Sequence, residues 1–384
     1  MSRLLITDAT ILTQDDERPF LEKGTVVVEN GYIGEVSEHA VEVSADDTVI
    51  DGSRMVATPG LVNLHYHVDL GKAAGESNER KPMWDLLFDD WYPFLGQLTE
   101  EEAYWATLAS YAESIRNGTT TVNDMYVLSP ARARAAREIG MRAILSNEIA
   151  TPETGIHIHL NESLSEVDDA LRRFGKRPTE LAYELGFLGP DVVAAHCVHL
   201  DDAEIGFMAE TGTHISHNPG SNAYLGNGIA RLNDFQRAGI NVGIGTDAGF
   251  CSDLFEIMRW AAYLHRATTR DIYARSSAES LVMATRNGSR ALGQKTGVLN
   301  AGMKADLILI DVDQVKFAMM DRTNGDEVTE FVVNQANGSD VDTSIIDGRV
   351  VMRGGVLTTV DENAISEGVA RSLREAGERY FGGH

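Results

Sequence analysis

Cysteine is nearly absent from this 384-residue chain: only Cys197 and Cys251 occur, both inside apolar segments. Two thiols cannot staple a fold of this size, so a disulfide-free protein of a reducing compartment is expected, and the predicted localisation is cytoplasmic. Lysine is also scarce. Only seven of the 33 basic residues are lysine, at positions 23, 72, 81, 176, 295, 304 and 316, and the formal net charge is −25. Phosphate backbones and anionic lipid need clustered Lys and Arg, so nucleic acid and membrane partners are excluded as expectations. A Lys-poor acidic surface suits a high-salt cytoplasm, with an ordinary acidic enzyme as the alternative. No apolar run approaches the roughly 18 residues that span a bilayer. The opening Met1–Asp8 holds too short an apolar stretch for a secretory leader.

Hydrophobic residues make up 43% of the chain, ample for a large core. Residues 1–57 read as short strands and turns, with Asn30-Gly31 marking a two-residue hairpin between Thr25–Val28 and Tyr32–Val36. The same texture returns after residue 299, in Asp306–Ile310, Ser344–Ile346 and Arg349–Met352. One small β-sandwich built from both termini (1–57 with 299–384) is predicted, clasping a central domain over 58–298. The segment 362–380 reads as an exposed amphipathic helix.

The middle alternates strand and helix. Thr99-x-x-Glu102, Asp201-x-x-Glu204 and Ser276-x-x-Glu279 read as capping boxes, while Gly118 and Gly212 end the first two helices. Repeated β–α units imply a parallel (β/α)8-type barrel. Seven barrel strands can be placed: Gly60–His67, Thr119–Tyr126, Arg142–Glu148, Gly155–Glu162, Val192–His199, His214–Asn218 and Asn241–Asp247. Only Ile149–Thr154 separates the third from the fourth, whereas a parallel crossover needs a dozen or more residues. The barrel is therefore predicted to be short of one strand unit near 149–155.

Four strand ends carry the chemistry. His65 and His67 lie two apart on one strand and share its lumen face, a pairing suited to a divalent metal. His157 and His159 also share a face; His159, nearer the strand end, is the better third ligand and His157 a deeper core histidine. Glu162 lies just beyond, placed to shuttle a proton from water to a leaving group. His196 ends the next strand, with His199 outside the site. Asp247 closes a buried strand, where an isolated carboxylate is costly unless it serves a metal or His196. Trp84, Phe88 and Trp91 are candidate pocket walls, and Asn222 and Ser252 candidate substrate contacts.

These segments resemble the amidohydrolase superfamily, in the branch holding methylthioadenosine/S-adenosylhomocysteine deaminases and s-triazine hydrolases such as atrazine chlorohydrolase. The resemblance runs through Ala57–His67, His159-x-x-Glu162, Ala194–His199, Ser216–Pro219, Ser221–Gly226, Gly245–Asp247 and Gly297–Leu307. It implies that His65, His67, His159 and Asp247 hold one divalent metal, Zn²⁺ with Fe²⁺ as the alternative. Glu162 would then be the proton shuttle, with His196 and Asp247 orienting and deprotonating water. The implied reaction is hydrolytic deamination of an N-heterocycle, such as an adenosine-type nucleoside, purine or pterin, by a hydrolase of carbon–nitrogen bonds other than peptide bonds. The alternatives are a triazine-type hydrolase expelling chloride or an alkylamine, and a truncated homologue that binds metal without catalysis. Relatives also imply a homo-oligomer. The resemblance places Leu95 where adenosine-type deaminases carry a ribose-binding Glu, and the short join where the family has a helix, a fourth strand and another helix.

Overall fold

The computed structural model describes residues 3–68, 83–146, 155–248 and 251–381, so the join at Ile149–Thr154 lies outside the described residues. The N-terminal strands are β1 (Leu4–Leu12), β2 (Phe20–Glu29), β3 (Tyr32–Ser37), β4 (Thr48–Asp51) and β5 (Met55–Pro59). The barrel strands are β6 (Leu61–His67), β7 (Thr119–Met125), β8 (Arg142–Ser146), β9 (Ile156–Leu160), β10 (Val192–His196), β11 (His214–His217), β12 (Val242–Ile244) and β13 (Asp247–Ala248). The C-terminal strands are β14 (Leu307–Asp311), β15 (Val341–Ile346), β16 (Arg349–Arg353) and β17 (Val356–Leu357).

Both termini meet in one nine-stranded sheet of order β17-β16-β15-β14-β5-β1-β2-β3, with β4 also on β1. The expected β domain built from both termini is therefore present, as one continuous ladder. β5 is wedged between β1, its parallel partner, and β14, its antiparallel partner, so it joins the strands of the two ends. The predicted hairpin is present: Glu29 pairs with Tyr32, and Asn30 and Gly31 take the positive φ values (52° and 83°) that such a turn demands. β5 runs into β6 through Gly60, where a Cβ would lie 2.1 Å from Thr120 Oγ1. Only glycine lets the chain pass from sheet to barrel that close to β7.

The barrel wall consists of two four-stranded parallel sheets, β13-β6-β7-β8 and β12-β11-β10-β9. β13 closes one seam by pairing with β6. Among the described residues β8 and β9 share no ladder, and this is the seam where a strand unit was expected to be missing. Burial records the consequence. β7 and β10 are buried at every residue, whereas β8 is half-buried along four of its five residues and β9 along three. A cavity of about 480 Å³ lies between them, lined by Asn123, Ile144, Ser146, Ile156 and His157.

All three capping boxes form, opening the helices Glu100–Arg116, Asp202–Thr211 and Ser277–Ala284. The C-terminal helix Glu362–Phe381 is the exposed amphipathic helix that was expected, with Ile365, Gly368, Ser372 and Ala376 on its buried face. Its Gly368 lies under the Trp105 ring, with a built Cβ 2.2 Å from it, and Arg379 pairs with the Glu102 that caps Glu100–Arg116. Among the described residues no helix is long and apolar enough to cross a membrane.

Candidate metal centre

The site forms at the C-terminal ends of β6, β9 and β10 and just beyond β12, at Asp247 where β13 begins, on the side where a parallel barrel exposes its strand-end side chains. Alternation along β6 sends His65 and His67 to the lumen and Tyr66 outward, its hydroxyl 3.4 Å from the Ser110 carbonyl. Asp247 is brought in by a reciprocal clamp. Asn63 Nδ2 donates to Thr246 Oγ1 at 2.7 Å, and Thr246 N–H donates to Asn63 Oδ1 at 3.1 Å. Gly245 makes the approach possible, since a Cβ there would stand 2.8 Å from the His65 backbone nitrogen.

Nε2 of His65 and of His67 lie 3.2 and 3.3 Å from Asp247 Oδ1, and Nε2 of His67 lies 3.0 Å from Nε2 of His159. Ligand atoms of His65, His67, His159 and Asp247 all lie within 4.8 Å of one another. Tetrahedral ligands ~2.0–2.1 Å from a Zn²⁺ stand about 3.3 Å apart, so the edges of this cluster have the right size for a small divalent cation. The donor chemistry fits too. His67 Nδ1 faces the Met125 carbonyl and must donate to it, which leaves a lone pair on Nε2. His65 Nδ1 faces His157 Nε2 at 2.8 Å, and His65 Nε2 is buried with no hydrogen-bond partner. Burial lowers His65 to about 3 and holds His159 well below the ordinary imidazole range, so both rings are neutral and able to ligate. Burial pushes the Asp247 carboxyl up, but His65, His196 and His67 outweigh it and hold Asp247 ionised.

Around this cluster lie the groups that can move protons. Glu162, His196 and Asp247 offer atoms within 4.8 Å of each other. His196 Nε2 is 3.7 Å from Asp247 Oδ2, and its Nδ1 is 3.6 Å from Glu162 Oε1. Burial pushes the Glu162 carboxyl up to about 7, against the pull of His196. Burial would lower His196, but the charges of Glu162 and Asp247 raise it above the usual range. Asn161, His196 and Asp247 all have left-handed backbones (φ 50°, 71° and 62°), and such strain in non-glycine residues clusters at functional sites.

Residues 56–153 and 147–351 match the model of the Amidohydrolase family. The chain belongs to the amidohydrolase family. The two matches overlap over residues 147–153, at the short join. A 5-methylthioadenosine/S-adenosylhomocysteine deaminase of Acetivibrio thermocellus is 34% identical, covering 94% of this chain and 96% of its own. That alignment runs over 422 positions, so the relative carries residues with no counterpart here. Among solved structures, an adenosine deaminase from Xanthomonas campestris with bound zinc superposes with a TM-score of 0.88 at 24% identity, over 98% of each chain. Atrazine chlorohydrolase from Arthrobacter aurescens, complexed with zinc, gives 0.87 at 21%, over 96% of this chain and all of its own. Both likenesses concern the fold.

In this amidohydrolase a pocket of about 270 Å³ opens over His67, His159, Glu162, His196 and Asp247, walled by Trp84, Trp91, Tyr92, Tyr126 and Leu225. Trp84 and Trp91, both candidate walls, line this cavity, and Trp91 Nε1 is buried without a hydrogen-bond partner among the described residues. Phe88 instead stacks on Trp84 and faces a larger cavity of about 770 Å³ on the outer flank of β9. Of these two cavities, the smaller one is lined by Glu162, His196 and Asp247. Two candidate contacts are corrected. Asn222 is buried with Oδ1 turned to His196 Nδ1 at 2.8 Å, and it does not line the pocket. Ser252 is tied to Glu113 and Asn117. Leu95 is buried in the core. Sequence reasoning missed Tyr126, Leu225, Glu166 and Asn227. Glu166 carried one usable signal, a fourth-position acid after Glu162; its carboxylate accepts the N–H groups of Asn161 (2.9 Å) and Glu162 (2.7 Å).

Proposed function

We propose that this amidohydrolase is a mononuclear metal-dependent aminohydrolase that hydrolytically deaminates an N-heterocycle, with adenosine-type nucleosides first among its substrates. The observation that carries the reading is the convergence of four metal-ligand atoms beside a buried carboxyl poised near neutrality, under an aromatic-walled pocket. The deaminase relative favours nucleosides, while the lack of a carboxylate at Leu95 leaves ribose recognition to other groups. His65, His67, His159 and Asp247 would hold the cation, with Zn²⁺ favoured by the zinc-bound structural neighbours. A divalent cation in such a site lowers the pKa of its water towards ~7 and so supplies a nucleophile at neutral pH.

The chain's own residues do the rest. Glu162 takes a proton from the attacking water and delivers it to the ring nitrogen next to the reacting carbon, work suited to a carboxyl near 7. His196, held over Asp247, steadies the charge that grows on the incoming oxygen. A carbon–oxygen bond forms, Glu162 then takes the remaining proton of the added hydroxyl and hands it to the amino group, the carbon–nitrogen bond breaks, and ammonia departs, leaving the ring carbonyl. We further read the protein as cytoplasmic, homo-oligomeric and adapted to salt, with 58–298 as its catalytic domain.

The test is ammonia release across adenosine derivatives, guanine, cytosine, pterins and aminotriazines, with chloride release from a chlorotriazine scored in parallel. Chloride without ammonia would replace the reading with the triazine-hydrolase one. Glu162→Gln should abolish turnover and leave metal content unchanged; activity surviving in that variant would remove Glu162 from its role. The lack of a ladder between β8 and β9 among the described residues favours one second reading, a metal-binding homologue without catalysis. Failure to hold stoichiometric Zn²⁺ or Fe²⁺ would sink the enzyme and leave only the fold.

A further inference from the structure

We infer that residues 221–227, the segment after β11, position both proton-moving groups, with Asn222 fixing the tautomer of His196 and Asn227 fixing which oxygen of Glu162 carries the proton. The inference rests on the deaminase reading for its kinetic part only. The helix Pro219–Tyr224 and the turn after it put three side chains of one short segment onto three members of the site. Ser221 Oγ donates to Asp247 Oδ2 at 2.5 Å, Asn222 Oδ1 meets His196 Nδ1 at 2.8 Å, and Asn227 Nδ2 donates to Glu162 Oε1 at 3.0 Å. The segment braces itself, because Asn227 N–H donates to the Asn222 carbonyl at 2.8 Å. Gly226 and Gly228, at φ 70° and 111°, let the chain turn back towards Glu162.

The chemistry of an amide fixes the outcome. Asn222 Oδ1 can only accept, so His196 carries its hydrogen on Nδ1 and turns Nε2, buried and without a hydrogen-bond partner, towards Asp247. Asn227 Nδ2 can only donate, so Glu162 Oε1 must accept, and a proton on Glu162 resides on Oε2. The two amides also keep His196 and Glu162 apart. Nδ1 and Oε1 are only 3.6 Å from each other, and without competing partners they would close into a direct pair that locks the proton between them. Neither asparagine needs to touch substrate. They are positioning residues.

The experiment compares zinc-loaded wild type with Asn222→Leu, Asn222→Asp and Asn227→Leu, and reads histidine tautomers by ¹⁵N NMR of the metal-free proteins at alkaline pH. Outer-layer partners of this kind typically contribute about 10–100-fold. kcat should fall by that factor in both leucine variants, with KM within about twofold and metal content unchanged. Asn222→Asp, which keeps an acceptor, should recover most of the loss. The His196 signal should show Nδ1–H in wild type and lose that preference in Asn222→Leu. Wild-type kcat in both leucine variants, or a raised KM at unchanged kcat, would overturn the inference, the latter in favour of direct substrate contact. An Nε2–H tautomer in the wild type would overturn it as well. If no substrate turns over, the deaminase reading fails on its own, and the tautomer measurement still decides the role of Asn222.

Discussion

Glu162 is the residue on which burial and chemistry pull most visibly against each other. Its carboxyl is pushed up to about 7 chiefly by burial, far above the ordinary carboxylate range. A carboxyl whose folded-state pKa is raised binds more protons in the native than in the unfolded chain between the two values. Stability must therefore fall as pH climbs through that window, and it is fully retained only below it. In metal-free protein, the thermal midpoint of wild type relative to Glu162→Gln should drop by a few degrees between about pH 4.5 and 7. Parallel curves for the two proteins would show that Glu162 is solvated instead. The role of Glu162 was readable because it depends on spacing along one strand end. The Asn227 that holds it was not, because nothing local links residues 65 positions apart in sequence. The same contrast separates His65 and His67, announced by alternation, from Tyr126, whose place in the wall is set by β7 pairing next to β6.

At the level of elements, whatever is encoded within a turn or a strand was legible, and whatever depends on which strands meet was less so. Three capping boxes and the Asn30-Gly31 hairpin form as read, because each closes its own hydrogen bonds within a few residues. That both termini share one β domain was legible from their texture, but the strand pair that joins them was not, because β5 meets β14 across about 250 residues. The short join after β8 was read from the six residues Ile149–Thr154, and among the described residues β8 has no ladder to β9. The β8 edge is held by Arg132, the largest wholly buried side chain. That guanidinium bonds Asp124 Oδ1 at 2.8 Å and the carbonyls of Asp124, Tyr126, Val127 and Ser146, tying the ends of β7 and β8 together. Tyr111 donates to the other oxygen of Asp124 at 2.6 Å. Removing one member of such a pair strands a buried charge, at a cost of roughly 3–5 kcal/mol. Arg132→Ala should lose about that much in chemical denaturation and weaken metal retention through Met125, whose carbonyl holds His67. A loss under about 1 kcal/mol would mean that water already reaches Asp124.

Across the whole molecule, the surplus of acid is the largest unresolved force. The chain carries 58 acidic residues against 33 basic ones. Many surface arginines are already committed, among them Arg116 to Glu362, Arg134 to Glu101 and Arg231 to Asp202 and Asp234. Salt acts on these terms in opposite directions. It weakens exposed pairs, each worth about 0–1 kcal/mol, and it relieves repulsion among the carboxylates left over. Buried pairs such as Arg132–Asp124 and Arg142–Asp306 are screened little and barely enter the balance. Screening length shrinks from about 10 Å at 0.1 M to about 3 Å at 1 M, short enough to separate neighbouring surface charges. With a net charge of −25, relief of repulsion is expected to outweigh the lost pairs. The thermal midpoint of the metal-loaded protein should therefore climb steadily as KCl is raised from the millimolar to the molar range. Sucrose at matched osmolality separates charge screening from simple exclusion at the surface, because sucrose stabilises without screening. An equal climb in sucrose, or a flat response to KCl, would remove salt adaptation from the account of this surface and leave the acidity as ordinary composition.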